Sequence, residues 1–169
     1  VAEFKPNRSQ SRCLKRNSSL RVSIEPPYCN DERLALYQRY LGSRHAGGGM
    51  DGAGAADFEQ FLQARWCDTR FLCVREGERL VAAAVTDVTP IGLSAVYTFF
   101  DPDMASRSLG VFCILQQIAW AGRMGLPHLY LGYWLDGHAK MGYKQHYQPL
   151  ELLREGHWQR LPTSKDTTE

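Results

Sequence analysis

LYLGYWLDGHAKMGYKQHY, from Leu129 to Tyr147, is the stretch in which an apolar strand gives way within a dozen residues to a dense set of rings and ammonium groups. A strand that only filled a core would stop at Leu131. Here Tyr130, Tyr133, Trp134, Tyr143 and Tyr147 carry four hydroxyls and an indole N–H, and Lys140 and Lys144 stand one helical turn apart, on one face if the segment is helical. Such a surface suits an anionic, ring-bearing ligand. The stretch therefore reads as a strand from Leu129 to Trp134 followed by a turn or short helix from Lys140 to Lys144.

Immediately upstream, a helix opening at Ser106 or Ser108 and running to about Met124 carries Leu109, Val111, Phe112, Ile114, Leu115, Ile118 and Trp120 nearly all round, so it is expected to lie largely buried against a sheet. Gly125 and Pro127 end it, as a left-handed cap and a proline would. Before it come Thr69 to Arg75, Leu80 to Val88 and Leu93 to Phe100, joined by Glu76-Gly77-Glu78 and Pro90-Ile91-Gly92 turns, which predicts an antiparallel meander. The triple alanine from Ala82 to Ala84 leaves room for a helix or another backbone to come close. Further upstream, Arg21 to Glu25 reads as a short strand closed by Pro26-Pro27. Asn30 or Asp31 then caps a helix to about Arg44, and Asp57 begins another, with Phe58, Phe61, Leu62 and Trp66 at helical spacing. Between them, His45 to Gly54 holds five glycines in ten residues and reads as a surface loop; it lacks the Lys-Ser/Thr ending of a phosphate-binding loop. Downstream, Leu150 to Arg154 and Trp158 to Leu161 are strand-like.

With 169 residues, 44% hydrophobic and 22% charged, the chain fits one soluble domain around one core. No apolar run approaches the ~20 residues that cross a bilayer, and no signal-peptide pattern is visible. The five cysteines, Cys13, Cys29, Cys67, Cys73 and Cys113, are odd in number and form no C-x-x-C pair. Reduced thiols and a cytoplasmic location are expected, with Cys113 buried in a helix and no metal site built from these spacings. The net charge of +2 hides an asymmetry: residues 1–21 hold six basic residues against Glu3, net +5, which leaves 14 basic and 17 acidic residues, net −3, elsewhere. The expected organisation is a basic arm over 1–21, a folded domain over 22–162 and a polar tail over 163–169. In the arm, Arg8, Arg12, Lys15 and Arg16 are interleaved with Ser9 and Gln10. Guanidinium and ammonium groups with amides and hydroxyls between them suit nucleic-acid phosphates, the alternative being a merely solvated arm.

Three blocks, FKPNRSQSRCLKRN at Phe4 to Asn17, YTFFDPDMASRSLG at Tyr97 to Gly110 and the opening stretch, closely resemble in order and spacing the aminoacyl-tRNA–protein transferases, the arginyltransferases of eukaryotes and the leucyltransferases of bacteria. The likeness spans nearly the whole chain. The element order also resembles the GNAT acyltransferase fold, an α/β (α+β) arrangement with a mixed sheet, an antiparallel meander and flanking helices. In that fold the strands before and after the long helix lie parallel and splay apart over the active site, and the transferase family implies the same architecture for 22–162. Family members carry a cysteine-rich segment upstream of the point where this chain begins. A metal or Fe–S cluster, if one is used, is expected there, and no cofactor within this chain.

The candidate residues follow from both readings. CoA-dependent GNAT enzymes carry R/Q-x-x-G-x-G/A where the strand meets the long helix; Arg107, Ser108 and Gly110 keep part of that pattern, but Phe112 stands at its second glycine. The resemblance implies an anion site there for the 3′ end of a tRNA, while Gly110 alternatively serves close helix packing. Tyr97 and Phe99 share a strand face with Asp101, and either stack on the terminal adenosine or fill the core. Asp101, in Asp101-Pro102-Asp103, either caps the turn or binds the acceptor amine. An aminoacyl ester is already activated, so the enzyme must align an amine, relay its proton and steady an oxyanion. Asp101, Tyr133 and Tyr143 are the candidates for that work, and His138 reads more readily as a loop histidine. Lys140-Met141-x-Tyr143-Lys144 matches the family's K-M-x-Y-K block. The resemblance implies that this block lies beside the aminoacyl end or the acceptor peptide, and since the family's acceptors begin with acidic residues an ammonium there has a partner; alone the two lysines read as solvated.

The function implied is transfer of leucine, less readily arginine, from aminoacyl-tRNA to the α-amine of proteins beginning with Asp or Glu, marking them for degradation, with no membrane partner. A CoA-dependent N-acetyltransferase and a non-catalytic RNA-binding module are the alternatives. The degraded glycine pattern speaks against the first and the three retained blocks against the second.

Overall fold

The computed structural model describes residues 1–44, 58, 67–135 and 141–162. The expected loop from His45 to Gly54, all but Phe58 of the pattern beginning at Asp57, and the tail from Thr163 lie outside the described residues.

Five strands form one sheet in sequence order: β1 (Arg21–Glu25), β2 (Asp68–Glu76), β3 (Arg79–Thr89), β4 (Gly92–Phe100) and β5 (His128–Tyr130). Strands β1 to β4 pair antiparallel in succession, and β5 runs parallel to β4. The mixed sheet with its meander is the expected α/β architecture. In β2 the run Phe71 to Val74, and in β3 the run from Leu80 to Asp87, are buried on both faces, which explains why neither strand alternates cleanly in sequence. Helix α1 (Arg8–Arg16) and helix α3 (Leu109–Arg123) lie on one side, where Leu72, Val74, Ala82 and Ala84 meet Cys13, Leu109, Phe112 and Cys113. On the other side α2 (Asp31–Arg44) sets Leu36, Tyr37 and Leu41, together with Phe58, against Phe71, Ala83, Val85 and Phe99. The alanine triplet thus divides between the layers, Ala82 and Ala84 under α3 and Ala83 under α2.

Helix α3 begins and ends as its sequence indicates. Gly125 takes φ +70° and the Leu126 N–H reaches back to the Ala121 carbonyl at 2.9 Å, closing the last turn. Gln117, buried in the helix, donates to the Thr86 hydroxyl at 2.7 Å and ties α3 to the sheet. Residues 8–16, read from charge as part of an arm, are instead a helix packed on α3. Asn7 caps it by accepting from the Gln10 N–H at 2.9 Å, while the Gln10 side chain accepts from the Asn7 N–H at 2.8 Å. The strand expected from Leu129 to Trp134 is shorter than its apolar pattern, because Gly132 at φ +77° takes the chain out of the sheet. Finally, β6 (Glu151–Arg154) and β7 (His157–Arg160) form a hairpin of their own that does not join the main sheet.

Strands β4 and β5 pair only over Gly92–His128, Leu93–Leu129 and Ser94–Tyr130, after which β4 continues and β5 stops. This is the expected parallel pair on either side of the long helix. Gly92 makes the pairing possible, since a Cβ there would sit 2.8 Å from the His128 carbonyl oxygen and 2.9 Å from the Tyr130 ring. Backbone cannot yield as a side chain can. Gly92→Ala is expected to cost about 1–3 kcal/mol through overpacking, read as a lower midpoint in urea denaturation.

Candidate active site

The 3₁₀ turn from Gly142 to His146 sets Lys144 and Tyr143 in different surroundings. Lys144 is 8% exposed, and its Nζ donates to the Tyr133 carbonyl at 2.6 Å, directly past the end of β5. Among the described residues no carboxylate pairs with it. Burial lowers its pKa from the usual lysine value. Because the unfolded chain holds that proton to higher pH, stability rises with pH between the two values. The stability of the wild type relative to Lys144→Met is therefore expected to improve as pH rises from neutral toward 10.5, measured by urea denaturation across that range. A pH-independent difference would contradict the buried-ammonium description.

Lys144 forms part of the wall of a cavity of about 920 Å³. Ile118, Leu129, Leu131, Tyr147, Leu150 and Leu152 supply apolar lining, and Tyr133, Leu135, Leu153 and Trp158 stand exposed at the same cavity. None of the lining comes from β4, so this cavity lies on the outer side of β5 and not between β4 and β5. On the β4 side stand tyrosines: Tyr40 of α2 meets Tyr97 of β4 edge-on at 6.2 Å and Phe100 at 5.0 Å. Burial first, and the neighbouring Tyr40 second, raise the Tyr143 pKa. Tyr143 therefore stays protonated at neutral pH and is a hydrogen-bond donor, suited to an oxyanion better than to accepting a proton. Tyr133, by contrast, is 87% exposed.

A second feature lies at the first turn of α3. Ser9, Arg12, Arg16 and Ser108 converge, with Cys13 and Val111, on a pocket of about 140 Å³. Ser108 holds a left-handed conformation, φ 55° and ψ 48°, and its side chain does not cap the helix. Arg16 donates to the Ser106 carbonyl, and buried Asn17 donates to the Arg107 carbonyl at 2.9 Å, which fixes α1 over this turn. Helix α1 also reaches the other site, where Gln10 donates to the His146 carbonyl at 3.0 Å, and Phe4, in the segment before the helix, stacks on Tyr147 at 6.3 Å. The two features are braced by one element.

Several expected site residues turn out to be structural. Phe99 is fully buried among Tyr37, Phe58 and Phe71, so it fills the core and cannot stack on a base. Asp101 is 1% exposed; its oxygens meet Arg39 and Arg79, each at 2.8 Å, and accept from the Asp103 N–H at 3.1 Å. With both oxygens engaged, it pins α2 and β3 to the 3₁₀ turn from Pro102 to Arg107 and is not placed to handle an amine. Arg107 pairs with Glu76 at 2.8 Å and donates to the Arg16 carbonyl at 3.3 Å, which joins α1 to the sheet. Gln10 is buried and occupied by the cap. At Gly110 a Cβ would meet the Phe100 ring at 3.4 Å, the close-packing role, while Phe112 points into the core. Arg8, Arg12, Lys15 and Arg16 remain exposed on α1. Lys140 and His138 lie outside the described residues. Among the described residues no group of His, Cys, Asp and Glu is arranged to hold a metal, and no helix is long and apolar enough to cross a membrane.

Sequence reasoning passed over Tyr40, Arg39 and the cavity. Arg33 was also missed: wholly buried, it lies between the Tyr28 and Phe71 rings at 4.2 and 4.6 Å and pairs with Glu25.

Residues 32–154 match the family described as "Arginine-tRNA-protein transferase, C terminus". The chain is 56% identical over 164 residues to an aspartate/glutamate leucyltransferase of Stenotrophomonas maltophilia (strain R551-3), covering 94% of this chain and 65% of the relative. It is 55% identical over 168 residues to the enzyme of that name in Xanthomonas euvesicatoria pv. vesicatoria (strain 85-10), covering 96% and 67%. A third, from Xanthomonas campestris pv. campestris (strain B100), is 53% identical over 171 residues, covering 98% and 68%. The chain thus spans about two thirds of the length of the curated relatives it matches.

Proposed function

Because the chain belongs to the aminoacyl-tRNA–protein transferase family, we propose that it carries the catalytic part of an aspartate/glutamate leucyltransferase, taking leucine from leucyl-tRNA to the α-amine of proteins that begin with Asp or Glu. The nitrogen attacks the ester carbonyl carbon, a C–N bond forms, and the C–O bond to the 3′ ribose breaks. The amine's proton leaves as the ribose oxygen gains one. The observation that carries the reading is Lys144, a buried ammonium with no carboxylate partner among the described residues, in the wall of a cavity lined by apolar and charged side chains. An acidic side chain entering that cavity would supply the missing partner. Tyr143, held protonated, is suited to donate to the oxyanion that forms during attack.

On the donor side, the pocket of Ser9, Arg12, Arg16 and Ser108 at the start of α3 suits a phosphate of the tRNA 3′ end, and the exposed Arg8 and Lys15 extend its field. Replacing Arg8, Arg12 and Lys15 with Ala is expected to weaken tRNA binding at every sequence and to flatten its salt dependence by roughly 0.7–0.9 in log–log slope per lost phosphate contact. Fluorescence titration at several salt concentrations checks it, and an unchanged slope would remove α1 from the tRNA site. The reading as a whole is tested by offering the full-length protein labelled leucyl-tRNA, arginyl-tRNA or acetyl-CoA with peptides beginning Asp, Glu or Ala. Label should pass from leucyl-tRNA to the acidic peptides; transfer from acetyl-CoA would support an acetyltransferase instead.

A further inference from the structure

We propose that the acceptor protein's extended N-terminal segment docks as an added strand along the outer edge of β5, with its first residue at Lys144 and the following ones against the cavity before the β6–β7 hairpin. The inference rests on the transferase reading above. Among the described residues, strand β5 is the last of the main sheet and pairs with β4 on one side only, and β6 and β7 form a separate sheet. A strand edge carries N–H and C=O groups that an incoming chain can meet. Between that edge and β6 lies the cavity of about 920 Å³, with Tyr133, Leu135, Leu153 and Trp158 exposed around it.

The occupant's polarity follows from where the charge sits. Lys144 contacts the Tyr133 carbonyl, and its Nζ lies 3.8 Å from where a Cβ on Gly132 would be, just beyond the C-terminal end of β5. A chain whose first residue meets that ammonium, and whose later residues run back along Leu131 to Leu129 at about 3.3 Å per residue, is antiparallel to β5. The tRNA end does not suit the same space. Glu3 and Glu151 line it alongside Lys144 and Arg154, leaving no excess of positive charge for a polyanion, whereas α1 presents its basic residues elsewhere. Backbone pairing also fits a broad range of acceptors. An enzyme serving proteins that share only a first residue gains from holding the rest by main-chain groups, which every sequence offers.

The test is leucyl transfer by the full-length protein to five-residue peptides beginning with Asp, each carrying one backbone N-methyl group at residues 2 through 5. Strand pairing has period two, so methylation at alternate positions should raise KM by about tenfold or more and at the intervening positions by less than about threefold. In parallel, Leu153→Ser combined with Trp158→Ala should raise KM for the five-residue peptide and leave that of an Asp-starting dipeptide unchanged. If the parent peptide is leucylated but methylation at every position is tolerated, the added strand is wrong and the transferase reading stands. If the parent peptide is never leucylated, both fall. A rim variant that raises KM for leucyl-tRNA and not for the peptide would give the cavity to the donor and overturn the inference.

Discussion

Lys144→Met is expected to lower kcat/KM for peptides beginning with Asp or Glu by about 100-fold, with leucyl-tRNA affinity held within a few fold. Methionine keeps most of the length and the apolar body of lysine and removes the charge together with the donor to the Tyr133 carbonyl. An acidic side chain entering the cavity must leave water, and losing the group that meets it typically costs about 2–5 kcal/mol, each 1.4 kcal/mol being tenfold. A 100-fold loss corresponds to about 2.8 kcal/mol, in the lower half of that range, and the low exposure of Lys144 keeps bulk water from replacing the lost partner. Steady-state transfer with Asp-, Asn- and Ala-starting peptides measures the effect, and the wild-type preference for Asp over Asn should nearly vanish in the variant. If the variant instead loses tRNA binding and treats acidic acceptors normally, the lysine serves the donor.

The second large effect is on stability. Asp101 is a fully buried carboxylate whose two guanidinium partners, Arg39 and Arg79, are each about half exposed. Replacing both arginines with Ala strands a negative charge in the core, a change that costs about 3–5 kcal/mol where a buried charge loses its partner. For a chain of this size that is a fall in Tm of roughly 6–20 °C. Either single variant leaves one guanidinium in place and should cost much less. Restoring neutrality with Asp101→Asn in the double-variant background should recover part of the loss, which distinguishes a stranded charge from simple loss of packing. Calorimetry of these variants beside the wild type decides it; equal Tm for the double variant and the wild type would show that Asp101 is not held by this pair.

The same carboxylate shows where sequence reading reached its limit. Asp101-Pro102-Asp103 marked a turn correctly, but the arginines that occupy Asp101 come from positions 39 and 79, and nothing local announces that pairing. Phe99 misled for a similar reason: period-two alternation gives two faces without saying which one meets ligand, and here α2 covers that face with Tyr37. What was legible depended on local chemistry. The β1 strand, the Asn30 cap of α2, the meander and the Gly125 stop of α3 all sit where turn residues and apolar period put them. Charge density concealed α1, although Asn7 and Gln10 stand at capping-box spacing and could have revealed a helix. Lys144 was found through its motif, whereas its burial comes from the path of the chain past Gly132, which no periodicity encodes.

The most direct measurement is the position of the new bond. Full-length protein is incubated with leucyl-tRNA carrying labelled leucine and an equimolar mixture of two peptides that differ only in beginning with Asp or Asn and that each contain an internal lysine, and the products are fragmented by mass spectrometry. An Asp/Glu-specific leucyltransferase should add one leucyl residue to the α-amine of the Asp peptide, with the internal lysine unmodified and the Asn peptide largely untouched. Leucine on the lysine side chain, equal labelling of both peptides, or no transfer from leucyl-tRNA would contradict it.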